Sequence, residues 1–264
     1  MPEGHTIHRL ARDVRSRLGG QKLSATSPQG RFDSGAALVD GRTLHRVDAH
    51  GKHLFLGVDD RWVHIHLGLF GRVTFAPTPA SPPRGAVRLR LVGDEMVLDL
   101  RGPTACEVIS PDDKRAMHAR LGADPLRRDA DPERAFERLR RRRLPLGALL
   151  LDQSVVAGIG NVYRAELLHR AALSPQREGR RVTAAEWAGL WDDTVTQLRA
   201  GVRSGRIVTT AREHRERPSG RARRSDAHYV YKRAGLPCRR CGATVVADEM
   251  AARTIFWCPS CQNM

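Results

Sequence analysis

The stretch LPLGALLLDQSVVAGIGNVYRAELLHRAALSP, residues 144–175, holds two apolar helical segments broken by a turn containing Gly158 and Gly160. Helical signals continue on both sides. DPERAFERLRRRR (131–143) opens on Asp131-Pro132, a helix start. TAAEWAGLWDDTVTQLRAGVRSG (183–205) opens on Thr183 with Glu186 three residues later, a capping box. The helical region begins after about residue 112. Before it the period changes to short β-type runs, namely KHLFLGV, WVHIHL, RVTFA, VRLRLV and EMVLDL, separated by Gly, Pro and Asp. Such runs predict a sandwich or a barrel. Residues 76–85 (APTPASPPRG) read as a loop, and Ile7, Leu10, Ala11, Val14 and Leu18 predict an amphipathic helix over 5–18. Residues 211–226 hold six arginines among Pro, Gly and polar residues, which predicts a mobile loop.

At 264 residues the chain exceeds the usual single domain. Its 45 Lys and Arg against 29 Asp and Glu give a net charge of +16, a field that attracts polyanions, nucleic acid foremost. An anionic membrane surface is the competing reading, but it calls for a basic amphipathic helix with large apolar anchors, which is absent. No run of apolar residues is long enough to span a bilayer, and the N-terminus lacks the apolar core of a secretory signal. Four of five cysteines sit in C-x-x-C pairs, which favours metal ligation in a reducing compartment over disulfides. A cytoplasmic, nucleoid-associated location is therefore expected.

Cys238-x2-Cys241 and Cys258-x2-Cys261 lie sixteen residues apart. Two knuckles at that distance close a tetrahedral all-thiolate site across a β-hairpin, a structural site for one Zn²⁺ with no open position. Cys106 reads as a small hydrophobe in a strand. His64 and His66 share one side of a strand; polar-core or DNA-facing roles outweigh a metal pair. A zinc ribbon alone does not specify function, since transcription and translation factors carry such ribbons too.

Three separated motifs do specify more. The chain opens Met1-Pro2-Glu3-Gly4, reads QSVVAGIGNVYRAEL over 153–167, and closes RTIFWCPSCQ over 253–262, with Gly51-Lys52 and LGADPL (121–126) in register between them. Together these motifs resemble the formamidopyrimidine-DNA glycosylase/endonuclease VIII family over essentially the whole chain. The resemblance implies an α+β multidomain fold: an N-terminal catalytic β-sandwich with a flanking helix (1–112), a helix–two-turn–helix DNA-binding domain (113–226) and a zinc finger (227–264). DNA is expected in the cleft between the halves, with damaged double-stranded DNA as partner and the protein a monomer.

The resemblance assigns chemistry to residues that would otherwise pass as surface. Removal of Met1 frees Pro2 as a secondary amine, and α-amines titrate near 8, so a neutral fraction exists around pH 7. Attack on C1′ of a damaged nucleotide expels the base and leaves an iminium that cannot lose its charge by deprotonation at nitrogen. It then acts as an electron sink for β-elimination and, after it, δ-elimination. Glu3 is expected to donate the proton to the sugar oxygen. Lys52 and Arg253 match phosphate-gripping residues that serve elimination, and Asn161 matches the two-turn residue that grips phosphate. Gly158 and Gly160 would let backbone N–H groups approach a phosphate at a helix N-terminus. After base flipping, Leu69 is the expected wedge, with Phe70 second.

The chain departs from the family's Pro-Glu-x-Pro-Glu opening at His5 and Thr6, so a second carboxylate is missing. Leu69, and Gly102-Pro103 following Asp99-Leu-Arg101, place it on the endonuclease VIII side, where oxidised pyrimidines are preferred. The alternative is a non-catalytic zinc-ribbon nucleic-acid-binding protein on the same fold. It accounts for the charge and the ribbon and leaves the N-terminal Pro-Glu unexplained.

Overall fold

The computed structural model describes residues 2–263; Met1, and with it the expected removal of that residue, lies outside the described residues. The chain divides into two compact units, one running to Arg120 and the other beginning at Leu121.

The first unit opens with helix α1 (Gly4–Leu18), whose apolar face of Ile7, Leu10, Val14 and Leu18 is buried. Strand β1 (Lys22–Thr26) and helix α2 (Asp33–Val39) follow, then β2 (Arg42–His50), β3 (His53–Val58), β4 (Arg61–His66), β5 (Arg72–Pro77), β6 (Val87–Val92), β7 (Met96–Arg101) and β8 (Ala105–Ile109). The strands pair antiparallel in the order β5-β7-β6-β1-β2-β3-β4-β8. Strand β1 is the hinge of this order. Lys22 and Leu23 pair with β2, while Ser24, Ala25 and Thr26 pair with β6. The two four-stranded halves share one core, with Leu89, Leu91 and Leu98 from one half and Leu54, Leu56 and Val63 from the other. That makes the unit a sandwich rather than a closed barrel. Helix α2 was not evident in the sequence, where 21–110 reads as β-type throughout.

Helix α3 (Pro111–Arg120) falls within the first unit, so the units divide at 120/121, eight residues after the composition shift at 112. Lys114 explains this. Its Nζ donates to Asp48 Oδ2 at 2.7 Å and sits 3.8 Å from the Trp62 ring centroid, tying α3 to the sandwich.

The second unit contains α4 (Pro132–Arg140), α5 (Leu146–Leu149), α6 (Asn161–Arg170), α7 (Ala184–Ser204) and the hairpin β9 (Val246–Met250) and β10 (Arg253–Trp257). The Thr183–Glu186 capping box is present in full, and Gly205 closes α7 in the left-handed region at φ 69. Of the two apolar segments in 144–175, only the second is a full helix. The first gives the four-residue α5 and then successive turns in which Asp152 Oδ1 accepts the Ser154 N–H at 2.9 Å. The arginine-rich segment 211–226 is irregular apart from one short turn of 3₁₀ helix, and its base is fastened: Asp226 accepts the Glu216 N–H and pairs with Arg239. Two cores fill this unit, one among α4, α6 and α7, the other between α6 and the cysteine-bearing hairpin. The finger therefore shares its core with the helices.

Candidate functional site

In the first unit the chemistry-bearing residues stand at element ends. Glu3 is the N-cap of α1 and is completely buried, with half-buried Pro2 before it. His5 is buried in the first turn of the same helix. Burial above all, then the positive charges of the chain terminus and Arg9, lowers its pKa to about 4, so it is neutral at physiological pH. Lys52 occupies the two-residue turn between β2 and β3, beside Gly51 at φ 59. His66 lies close enough to Lys52 to feel its charge; burial, then His64, then Lys52 hold its pKa down.

Leu69 and Phe70 are 54% and 87% exposed on the loop between β4 and β5. Gly68, at φ 65, makes this tip possible, because an added Cβ would collide with the Thr104 hydroxyl. Two adjacent large apolar side chains held out by a tight turn cost hydrophobic burial without any return from packing, which marks them for contact with something else.

The paired histidines of β4 are part of a larger array. His64 Nδ1 bonds Glu107 Oε1 at 2.8 Å, and its Nε2 bonds His53 Nδ1 at 2.9 Å. Burial, then the neighbouring histidines, push the pKa of His53 down to about 3. These side chains form a hydrogen-bonded row along the sheet, as the polar-core reading of His64 expects. Cys106 lies on β8, packed against the sandwich core, with its pKa raised to about 12 by burial, so it is an inert thiol.

In the second unit the two-turn segment is stapled by Gln153. Its Oε1 accepts the Gly158 N–H at 2.9 Å, and its Nε2 donates to the carbonyls of Leu151 and Ile159. The Gly158 amide is thus engaged within the turn, where glycine serves the left-handed backbone at φ 96. Gly160 is the N-cap of α6. Asn161, the first residue of α6, donates from Nδ2 to the Thr254 carbonyl at 2.9 Å, and its Oδ1 accepts from Arg164. Arg164 is entirely buried and also reaches the carbonyls of Gly147 and Met250. Asn161 is thereby brought next to Thr254 and its neighbour Arg253, which is exposed at the start of β10. The turn before Arg253 is made by Ala251 and Ala252, both left-handed at φ 54 and 55, a conformation alanine adopts at a cost.

The thiols of Cys238, Cys241, Cys258 and Cys261 converge so that all four sulfurs lie within 4.8 Å of one another. Among the described residues this is the cluster of metal-type ligands, and its donor set and closeness suit one structural zinc. The Ala243 N–H, then the Cys261 side chain, bring Cys241 down to about 6. Burial and then the neighbouring sulfurs push Cys258 and Cys261 up, an effect that a divalent cation reverses.

Sequence reading did not single out Gln153, Arg164, His169 or His53, and gave Glu166 no role. One signal was available. Polar residues are scattered around every face of α6, yet its flanks are apolar, so some had to be buried. Nine of its ten residues are.

A sandwich opening on Pro-Glu, a two-turn helical unit and a four-cysteine hairpin define one class of protein, and the comparisons agree. The formamidopyrimidine-DNA glycosylase N-terminal domain matches residues 1–106, the H2TH domain of the same enzymes matches 121–213, and the zinc finger found in FPG and IleRS matches 235–263. The chain is 46% identical to a Mycobacterium tuberculosis protein named Endonuclease 8 1 over the full length of both. It is 33% identical to a formamidopyrimidine-DNA glycosylase of Roseiflexus sp., covering 96% of this chain and 93% of that one. Among solved structures, a Lactococcus lactis Fpg bound to N7-benzyl-Fapy-dG DNA superposes with a TM-score of 0.83 at 25% identity, covering both chains completely. The chain belongs to the formamidopyrimidine-DNA glycosylase/endonuclease VIII family. Among the described residues no helix is long and apolar enough to cross a membrane.

Proposed function

We propose that the chain is a bifunctional DNA glycosylase and AP lyase of base excision repair, working in the bacterial cytoplasm on damaged duplex DNA and removing oxidised pyrimidines. The observation that carries this reading is Glu3. It stands buried at the start of α1 directly after Pro2, so its carboxyl is next in the chain to the amine that removal of Met1 would free.

With Met1 removed, the Pro2 amine attacks C1′. The glycosidic bond breaks, the base leaves with a proton, and Glu3 protonates the ring oxygen as the sugar opens. The resulting iminium on Pro2 withdraws electrons. Loss of the C2′ proton breaks the C3′–O bond and releases the 3′ phosphate end, and loss of the C4′ proton then breaks the C5′–O bond. Hydrolysis frees Pro2. His5, neutral near pH 7, adds no positive charge beside the iminium. Lys52 and Arg253 hold phosphates and assist elimination, Asn161 holds phosphate from the two-turn segment, and Gly158 and Gly160 give that segment its shape. Leu69, then Phe70, fills the space the flipped nucleotide leaves. Identity to a named endonuclease 8 exceeds that to the formamidopyrimidine glycosylases, which favours the pyrimidine branch. Lactococcus lactis Fpg has itself been solved with DNA containing an oxidised pyrimidine.

Borohydride trapping on an abasic duplex tests the mechanism. The adduct is expected on Pro2 by peptide mapping, and Pro2→Gly is expected to reduce trapping severely. An adduct on an internal lysine overturns the mechanism, and tight DNA binding without excision of any oxidised base favours an inert binder.

A further inference from the structure

His169 is completely buried in the last turn of α6, and its Nε2 lies 3.4 Å from the Sγ of Cys238. The ring is clamped. It stacks on Tyr229 at 4.8 Å and 26°, and the Arg240 guanidinium covers that tyrosine while donating to the His169 carbonyl. The Tyr229 hydroxyl is fixed in turn by the Ala211 N–H and His214.

The other ring nitrogen, Nδ1, is buried with no hydrogen-bond partner among the described residues. A neutral imidazole carries one N–H. Placing it on Nδ1 strands a buried donor, at about 1–3 kcal/mol, and turns the Nε2 lone pair toward an electron-rich sulfur. Placing it on Nε2 gives the donor an acceptor. Four thiolates around a divalent cation leave excess negative charge, so a donor to sulfur is favoured there. The knuckle amides of Arg240 and Cys261 reach Cys238 and Cys258, each at 3.5 Å. Cys238 gains a further donor from a different element of the fold.

We infer that His169 is a positioning residue of the zinc site, donating its Nε2–H to the metal-bound thiolate of Cys238 and tying the finger to helix α6. The same helix begins at Asn161, bonded to the β10 strand, so α6 is fastened to the finger at both ends. This assignment rests on the zinc site and not on the proposed catalysis.

The test uses the full-length zinc protein. His169→Phe keeps the stack and removes the N–H; His169→Gln keeps an amide N–H at similar reach. Competition with a chromophoric chelator is expected to show a 10- to 100-fold loss of zinc affinity in the Phe variant, in the range typical for outer-shell partners of metal ligands, and near-native affinity in the Gln variant. In cobalt-substituted protein the sulfur-to-metal charge-transfer band is expected to move to lower energy in His169→Phe only. If the Phe variant does not fold, His169→Asn, whose shorter amide falls short of the sulfur, supplies the same contrast against Gln. Native zinc affinity and an unmoved band without the N–H overturn the inference, as does equal impairment of Phe and Gln.

Discussion

Glu3 and Glu166 are both completely withdrawn from solvent, one capping the first turn of the sandwich unit's α1, the other in the middle of the helical unit's α6. Glu166 is surrounded by donors from two distant stretches of chain. Its Oε1 accepts the N–H groups of Val230 and Tyr231 at 2.9 and 2.8 Å, and its Oε2 accepts that of Tyr229 at 2.7 Å together with the Thr209 hydroxyl. Four neutral donors spread over both oxygens make a staple, and such a carboxylate is spent on architecture. Glu3 stands at a helix end directly after Pro2, which is proposed to become a secondary amine once Met1 is removed. Burial alone does not separate the catalytic role proposed for Glu3 from the structural role of Glu166.

Exchanging each carboxylate for an amide tests that difference most severely. Glu3→Gln is expected to slow excision of a thymine glycol base by about 10²- to 10⁴-fold in single turnover, the usual contribution of a positioned acid, with a smaller loss of unfolding free energy than Glu166→Gln. Glu166→Gln turns an NH2 toward two donors, and its unfolding free energy is expected to fall by about 2–4 kcal/mol in urea. Equal loss of stability in the two variants would make Glu3 a structural residue like Glu166.

The contrast also explains what could be read from the sequence. The β-type runs, the capped α7 and the zinc knuckles depend on neighbours in the chain, so spacing revealed them. The roles proposed for Pro2 and Glu3 come only through the family's opening motif, because nothing local separates an N-terminal proline from any other. Glu166, Arg164 and His169 depend on partners 60 to 90 residues away, such as Tyr229, Thr254 and Cys238. Polar side chains in a helix read as its solvated face until the partners are known. The β9–β10 turn was hidden for another reason: two alanines occupy left-handed positions where Asn-Gly is the usual signal.

Acid is expected to weaken the first unit. His5 and His53 have pKa values lowered to about 4 and about 3, burial being the first cause in each. The unfolded chain binds these protons near pH 6.5, the folded chain only well below it. Stability is therefore level above about 6.5 and falls as pH drops from there toward 4, by at most about 1.4 kcal/mol per pH unit for each histidine. Urea unfolding at pH 7.5 and at pH 5 measures it, with Trp62 as the reporter of this unit, read against a Trp62→Phe variant. A first-unit midpoint unchanged at pH 5 would show that these histidines charge without penalty.

The smallest expected effect separates grip from chemistry in both units at once. Lys52 sits on a hairpin turn of the sandwich and Arg253 follows the strained Ala251-Ala252 turn of the finger, and both are assigned to phosphates. Phosphate contacts position a duplex and carry no sequence information, so Lys52→Ala and Arg253→Ala should weaken binding to every DNA about equally. Removing either cation should also reduce the salt slope of log affinity by about 0.9, the value per neutralised phosphate on duplex DNA. Asn161 provides the control. Its side chain is neutral and shared with Thr254 and Arg164, so Asn161→Ala should weaken binding while leaving the slope unchanged, since no counterion is released on its account. Binding to an uncleavable abasic duplex at several salt concentrations gives all three values. If Arg253→Ala leaves the slope unchanged yet abolishes δ-elimination on a cleavable abasic duplex, Arg253 acts on the reaction, as is proposed for Glu3, and the phosphate assignment fails for the second unit.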